Sequence, residues 1–288
     1  MNRCHRLVVP CLALVLSGCS LKLVALRQTA ALLEQGVGAF YDESDTELAQ
    51  QALGSQLKMV EAFLRNDPAE PRLNLIASQG YGAYAFLFLE GRQDNRAREF
   101  YRRGRDFGLR ALDSTKPFKD IRDMDLAALE RALKAASKDA VPALFWASYS
   151  WAGWVNLSRD DMEAVADLPK AVAVMRRVRE LDPGYQFGGP DLFLGAYYAS
   201  RPRILGGDPA KAKEHFEAAK KLHGGAYLLG LWLEARYYAV AAQDETLFTE
   251  LLEAVKTGTA GKLADSRLAD EVAKLKAAAL LEKKDELF

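Results

Sequence analysis

Residues 208–219 read Asp208-Pro209-Ala210-Lys211-Ala212-Lys213-Glu214-His215-Phe216-Glu217-Ala218-Ala219, and the fold follows from how this stretch repeats elsewhere. An Asp followed by Pro is a helix start: the carboxylate caps the first free amides, and Pro lacks the amide that its position would leave unbonded. Within the helix, Ala212, Phe216 and Ala219 share a face, in the order small, aromatic, small. Small residues let a neighbouring helix come close, and the aromatic ring fills the groove between the two. The same spacing occurs earlier at Ala97, Tyr101 and Gly104.

Outward from these two segments, nearly every part of the chain shows apolar residues at the helical period, and almost none shows the alternation of a strand. The pattern predicts helices at 22–35, 45–65, 72–90, 95–112, 121–136, 141–157, 161–181, 190–200, 209–222, 225–242, 245–256 and 265–284. Asn66-Asp67-Pro68, Lys116-Pro117 and Asp182-Pro183-Gly184 read as stops and turns between them. Short connections make successive helices antiparallel. The small-aromatic-small spacing resembles the second helix of the tetratricopeptide repeat, whose period is about 34 residues. Leu181-Asp182-Pro183 matches the end of such a repeat, and Leu194-Gly195 with Tyr198 matches part of its first helix. The loop from Arg201 to Gly207 is too long for a regular unit. The expectation is an all-α fold of antiparallel helix pairs stacked as degenerate repeats, with residues 22–288 forming one domain.

The first residues read differently. Arg3 and Arg6 precede an apolar run from Leu7 to Leu16, broken only by Pro10. A bilayer-spanning helix needs about 20 apolar residues, so this run reads as a signal segment covering residues 1–18. It ends in Leu16-Ser17-Gly18-Cys19, which resembles a bacterial lipobox. The resemblance implies cleavage before Cys19 and acylation of its thiol and amine, with residues 19–21 as a tether. Several acyl chains on one residue anchor stably where one does not. Cys4, Cys11 and Cys19 are the three cysteines, so processing would leave Cys19 alone, without a disulfide partner. Ser20 stands where an Asp would retain a proteobacterial lipoprotein at the inner membrane. The expected location is therefore the periplasmic face of the outer membrane.

Removing residues 1–18 takes two of the 39 basic residues, leaving 37 against 39 Asp and Glu, a formal charge of −2. That balance offers no basic face for nucleic acid.

A more particular resemblance runs through Pro190-Asp191-Leu192-Phe193-Leu194-Gly195, Arg201-Pro202, Leu205-Gly206-Gly207-Asp208, the helix quoted above and His223-Gly224-Gly225. Leu57 to Ala62 with Asp67-Pro68, Tyr81 to Phe88 before Ala97, and Val141-Pro142-Ala143-Leu144-Phe145-Trp146 extend it. In this order, behind a lipobox, the set resembles the T component of TRAP transport systems, the TatT family of tetratricopeptide lipoproteins. The resemblance implies a helical bundle with a central cavity or pore and a homotrimer. It also implies a partner in the periplasmic solute-binding (P) component of a TRAP transporter, and a small ligand, hydrophobic or carboxylate.

Cavity candidates come from aromatic stripes. Residues 141–157 are apolar on all sides, so the helix is buried on two faces. Trp146, Ser150 and Trp154 share one of them, which serves either as a second packing layer or as a cavity wall. Tyr84, Tyr198 and Tyr237 are further ring candidates, although such stripes serve equally as core. Arg201, in the irregular loop, offers a guanidinium for a carboxylate, or is simply an exposed loop residue. His215 and His223 lack the acidic or Cys company of a metal site, so no metal or cofactor is expected. No Gly-x-Ser-x-Gly, phosphate loop or His-Glu-x-x-His occurs, and the chain is not expected to be an enzyme. A second reading is a tetratricopeptide lipoprotein that scaffolds envelope assembly. A closed aromatic cavity favours the transport reading; an open, charged concave groove favours the scaffold.

Overall fold

The computed structural model describes the backbone of residues 5–288 and the side chains of residues 21–288. The expected lipidation at Cys19 and the signal segment before it lie outside the described side chains. Among the described residues the chain is entirely helical in its regular structure, and no helix is long and apolar enough to cross a membrane.

Helix α1 runs His5–Gly36, followed by the short α2, Gly38–Tyr41, and by α3, Thr46–Leu64. Next come α4, Pro71–Tyr84, which continues as a π-helical turn over Ala85–Leu89, and α5, Asp94–Asp113. Helices α6 (Leu126–Lys134), α7 (Val141–Asn156), α8 (Met162–Ala166), α9 (Leu168–Leu181), α10 (Tyr185–Ala199) and α11 (Pro209–His223) follow. Helix α12, Leu228–Leu233, passes through a second π-helical turn, Glu234–Ala239, into α13, Val240–Ala242. Helices α14 (Glu245–Thr257), α15 (Arg267–Leu281) and α16 (Lys284–Leu287) complete the chain.

Side-chain capping sets several of the helix starts. Asp208 accepts from the amides of Ala210 and Lys211 at 3.1 Å each, as its Asp-Pro spacing requires. Asp45 and Asp161 cap α3 and α8 in the same manner. Two expected helices are shorter than their apolar period implies. Over 121–136, Ile121–Asp123 forms only a 3-10 turn and Met124 is extended, because Asp125 caps a new helix through the Ala128 amide. The expected 161–181 helix divides at Asp167, since Pro169 in the first turn of α9 has no amide for a continuous ladder.

The direction of each helix is fixed by which residues meet. Tyr84 packs on Phe100 and Tyr81 on Phe107, so α4 and α5 are antiparallel. A Cβ on Gly104 or Gly108 would press into Ser150 or Ala147, so α5 and α7 are antiparallel too. Ser148 Oγ donates to Ala171 O at 2.8 Å while Trp151 Nε1 reaches Asp167, which orders α7 and α9 likewise. Arg179 meets Asp191, and Gly195 meets Phe216, carrying the alternation through α10 and α11. Helices α4, α7 and α10 therefore run parallel to one another. Helix α12 joins them, since Phe187 packs on Tyr227 and Leu192 on Gly230. The small residues recognised at Ala97, Gly104, Ala212 and Ala219 are all buried, as are Tyr101 and Phe216 between them.

Buried polar ties lock the outer layer. Asp191, only 3% exposed in its side chain, accepts from Arg179 Nε and pairs with His215 Nδ1, each at 2.6 Å. Asp270 accepts from the amides of Leu228 and Gly261 and from the Ser266 hydroxyl.

Candidate functional site

The four parallel helices line a cavity of about 500 Å³, half open to solvent, with α2, α3 and the start of α15 on its other sides. Its wall is mostly apolar, with Phe86 and Leu87 from α4, Phe145 from α7, Phe193 and Ala196 from α10, and Leu229 and Leu233 from α12. A concave, largely apolar space with a few polar groups is the usual form of a small-molecule site. Those polar groups collect at its two ends, because the lining helices run the same way.

At the end where these helices start stand Tyr41, Gln79, Gln186 and Asp265. Gln79 Nε2 donates to the Tyr41 hydroxyl, and burial pushes that phenol up to about 12. Gln186, Phe187 and Gly188 form a left-handed turn, with φ of 48°, 58° and 78°. A left-handed residue with a Cβ costs about 1–2 kcal/mol, so Gln186 and Phe187 are held there by their surroundings. The turn brings Gln186, Phe187 and Gly189 to the cavity wall, and Pro190 falls in the first turn of the helix that resumes after it.

At the opposite end lie Glu90, Asn156, Arg159, Ser200 and Arg201. Arg159 Nε donates to Asn156 O at 3.1 Å, and the Arg201 guanidinium lies 5.2 Å from the Tyr197 ring centre. The loop presenting Arg201 is tightly wound: Gly207 N donates to Pro202 O and Asp208 N to Tyr198 O, both at 3.0 Å. A Cβ on Gly207 would sit 1.8 Å from Arg201 O, so only glycine fits.

Deeper at this end, Glu90 leaves the first π-helical turn beside Tyr101, Tyr149 and Tyr237, all lining the cavity. Tyr101 Oη donates to Glu90 Oε2. Among the described residues no cation forms an ion pair with Glu90. Burial is the main cause of a raised Glu90 pKa, opposed by the Tyr101 hydrogen bond and by Lys276. Burial, and then the Glu90 charge, likewise push the Tyr101, Tyr149 and Tyr237 phenols well up. The charged groups facing Glu90 are Lys276 on α15, Asp94 on α5 and Arg236 on the second π turn.

The sign of the linkage follows. A carboxyl whose folded pKa is raised binds its proton more tightly when folded. Its stabilising contribution is then full below the unfolded value and is lost as pH rises through the folded one. Glu90→Gln is therefore expected to be more stable than the parent chain at neutral pH, with the gain vanishing below the ordinary carboxylate range. Thermal melts at pH 4 and pH 7.5 check this; equal midpoints for the two proteins at both pH values would refute it.

The expected site residues divide. Trp146, Tyr237 and Arg201 line the cavity, whereas Ser150, Trp154, Tyr84 and Tyr198 do not. On α7 the cavity face is centred on Tyr149, with Phe145, Ala152 and Gly153 beside it, not on the Trp146–Ser150–Trp154 stripe. The difference is about 100°, one residue's rotation. Ser150 is fully buried against Gly82 and Gly104, and the Arg105 guanidinium covers Trp154 at 4.1 Å. Tyr84 is buried against Phe88 and Phe100. Tyr198 faces outward onto His215, and its hydroxyl accepts from Arg176 Nη2 at 3.0 Å. Glu90, Tyr149 and Arg159 are cavity residues that periodicity alone did not single out. The available signal was Glu90 closing the otherwise apolar run Ala83–Leu89. Among the described residues no group of three His, Cys, Asp or Glu is placed to hold a metal ion.

A family model described as TRAP transporter T-component matches residues 42–288. A Treponema pallidum (strain Nichols) protein described as uncharacterized is 27% identical over 234 residues, which span 71% of this chain and 72% of that protein.

Proposed function

The chain belongs to the TRAP transporter T-component family, and from that premise we propose that it is a lipid-anchored, periplasmic accessory of a TRAP-type uptake system. In this reading it carries no chemistry of its own. It docks the transporter's periplasmic solute-binding protein and takes a small, largely apolar ligand into its cavity. The observation that carries the ligand part is the aromatic-walled space with polar groups confined to its ends. An envelope scaffold would instead want a charged groove, and the wall of this cavity is mostly apolar. Arg201 and Arg159 at one mouth suit a carboxylate. Trimeric assembly and attachment through Cys19 at the outer membrane belong to the same proposal.

The test is native mass spectrometry of residues 19–288 with Cys19→Ser, alone and with a TRAP-type periplasmic solute-binding protein of the same organism. A trimer that captures that protein supports the reading. A monomer that captures none overturns it and returns the envelope scaffold.

The cavity has its own test. Ala196 lines it from α10 and is only half-buried, so Ala196→Trp extends an indole into free space. The variant is expected to melt within a few degrees of the parent and to lose at least tenfold in affinity for decanoate by titration calorimetry. Unchanged decanoate binding in that variant would place the ligand elsewhere.

A further inference from the structure

We propose that the cavity recognises an ammonium group, held by the Glu90 carboxylate within walls formed by Phe86, Tyr101, Tyr149 and Tyr237. The proposal deepens the reading above and rests on the cavity being the ligand site.

Among the described residues no cation is paired with Glu90, which stands partly buried in a mostly apolar cavity. Its one side-chain hydrogen bond among the described residues comes from the Tyr101 hydroxyl. An ionised carboxylate accepts at about four lone-pair positions, so several remain for a ligand. A carboxylate removed from water without a cation beside it is costly, and the cost is offset when a cation arrives.

The walls have the matching character. Phe86 and Tyr149 meet edge to face at 6.0 Å, and Tyr101 and Tyr149 at 6.2 Å. Such angled rings present both faces and edges, and the faces of aromatic rings attract cations. The protein already uses the outer side of this wall in that way. Lys276 Nζ lies 5.1 Å from the Phe86 ring centre and 5.3 Å from that of Trp232, without pairing to Glu90. Arg236 is exposed and turned over the Tyr237 ring, 5.6 Å from its centre. Neither cation fills the place beside the carboxylate.

The backbone presentation is also specific. The Glu90 amide donates to Ala85 O at 2.8 Å, closing the π turn. The matching ligand therefore has an apolar body and a terminal amine, protonated at neutral pH.

Three near-isosteric probes test this by titration calorimetry on residues 19–288 with Cys19→Ser: 2-phenylethylamine, 2-phenylethanol and phenylacetate. The amine is expected to bind at least tenfold more tightly than the alcohol, and Glu90→Gln is expected to remove that advantage. Glu90→Gln should leave phenylacetate affinity no weaker than in the parent. If the alcohol or the acid binds as well as the amine, or if Glu90→Gln leaves the amine unaffected, the ammonium assignment is overturned. Phenylacetate binding without amine binding would sink this assignment while the carboxylate reading stands. Binding of none of the three would overturn both ligand assignments, whereas capture of the solute-binding protein would remain a separate result.

Discussion

Asp270→Ala is expected to lower the unfolding free energy by about 3 kcal/mol or more, read from urea denaturation curves. Asp270 is fully buried at 0% exposure, and its two oxygens join three segments. One accepts the Leu228 amide at 2.8 Å, where α12 begins; the other accepts the Gly261 amide at 3.0 Å and the Ser266 hydroxyl at 2.7 Å. The hydroxyl has a second acceptor in Leu263 O, so truncation orphans the buried Leu228 amide and the part-buried Gly261 amide rather than three donors. Each buried donor left unpaired costs about 1–3 kcal/mol. Asp270→Asn keeps one acceptor oxygen and should fall between the two. A loss below about 1 kcal/mol for the Ala variant would mean that water reaches both amides and that the tie is dispensable.

The second large effect is expected at Gly108. Helix propensity favours any other residue there, with Ala gaining about 1 kcal/mol over Gly in a helix interior. Packing opposes it, because a Cβ would lie 2.7 Å from Ala147 Cα, Ala147 Cβ and Ser78 Oγ together. Three helices, α4, α5 and α7, converge on this point, and backbone cannot rotate out of the way. Overpacked sites typically lose about 1–3 kcal/mol, and a seam of three helices belongs at the upper end of that range or beyond it. Gly108→Leu should therefore lose about 3 kcal/mol or more, while Gly108→Ala loses less despite its better propensity. Combining Gly108→Ala with Ala147→Gly should recover part of the loss, as neighbouring residues couple. A Gly108→Ala variant more stable than the parent would show that the seam opens freely.

These two sites show what was legible in sequence. Gly104 was read as a small seam residue from its spacing with Ala97 and Tyr101, and it sits against α7 as that reading requires. Gly108, one turn further on, follows from the same logic. Asp270 was invisible, since its partners at 228, 261 and 266 come together only in three dimensions. The all-helical architecture was legible because capping and period are local properties of the chain. The inner face of α7 was not. Its apolar residues go all the way round, so period alone cannot say which side meets a cavity and which meets α5. Arg201 was recognised from its irregular loop, and its placement at the cavity depends on the winding that only Gly207 permits. Glu90 was missed because a charged residue before a glycine reads as the exposed end of a helix. Tyr149 was passed over for the tryptophans on either side of it.

The two π-helical turns have a consequence for how relatives of this protein should be aligned. Each is in effect one residue more than an α-helix needs to cover the same rise, and both sit in helices that line the cavity. Deleting one residue from either would restore the regular ladder and keep the flanking turns in phase, so that the change falls on the side chains of the turn itself. In the first case that turn is the one that carries Phe86 and Leu87 into the cavity. A gap of a single position at 85–89 or 234–239 in a homologous chain therefore marks a change in what lines the interior, even where every flanking residue is conserved.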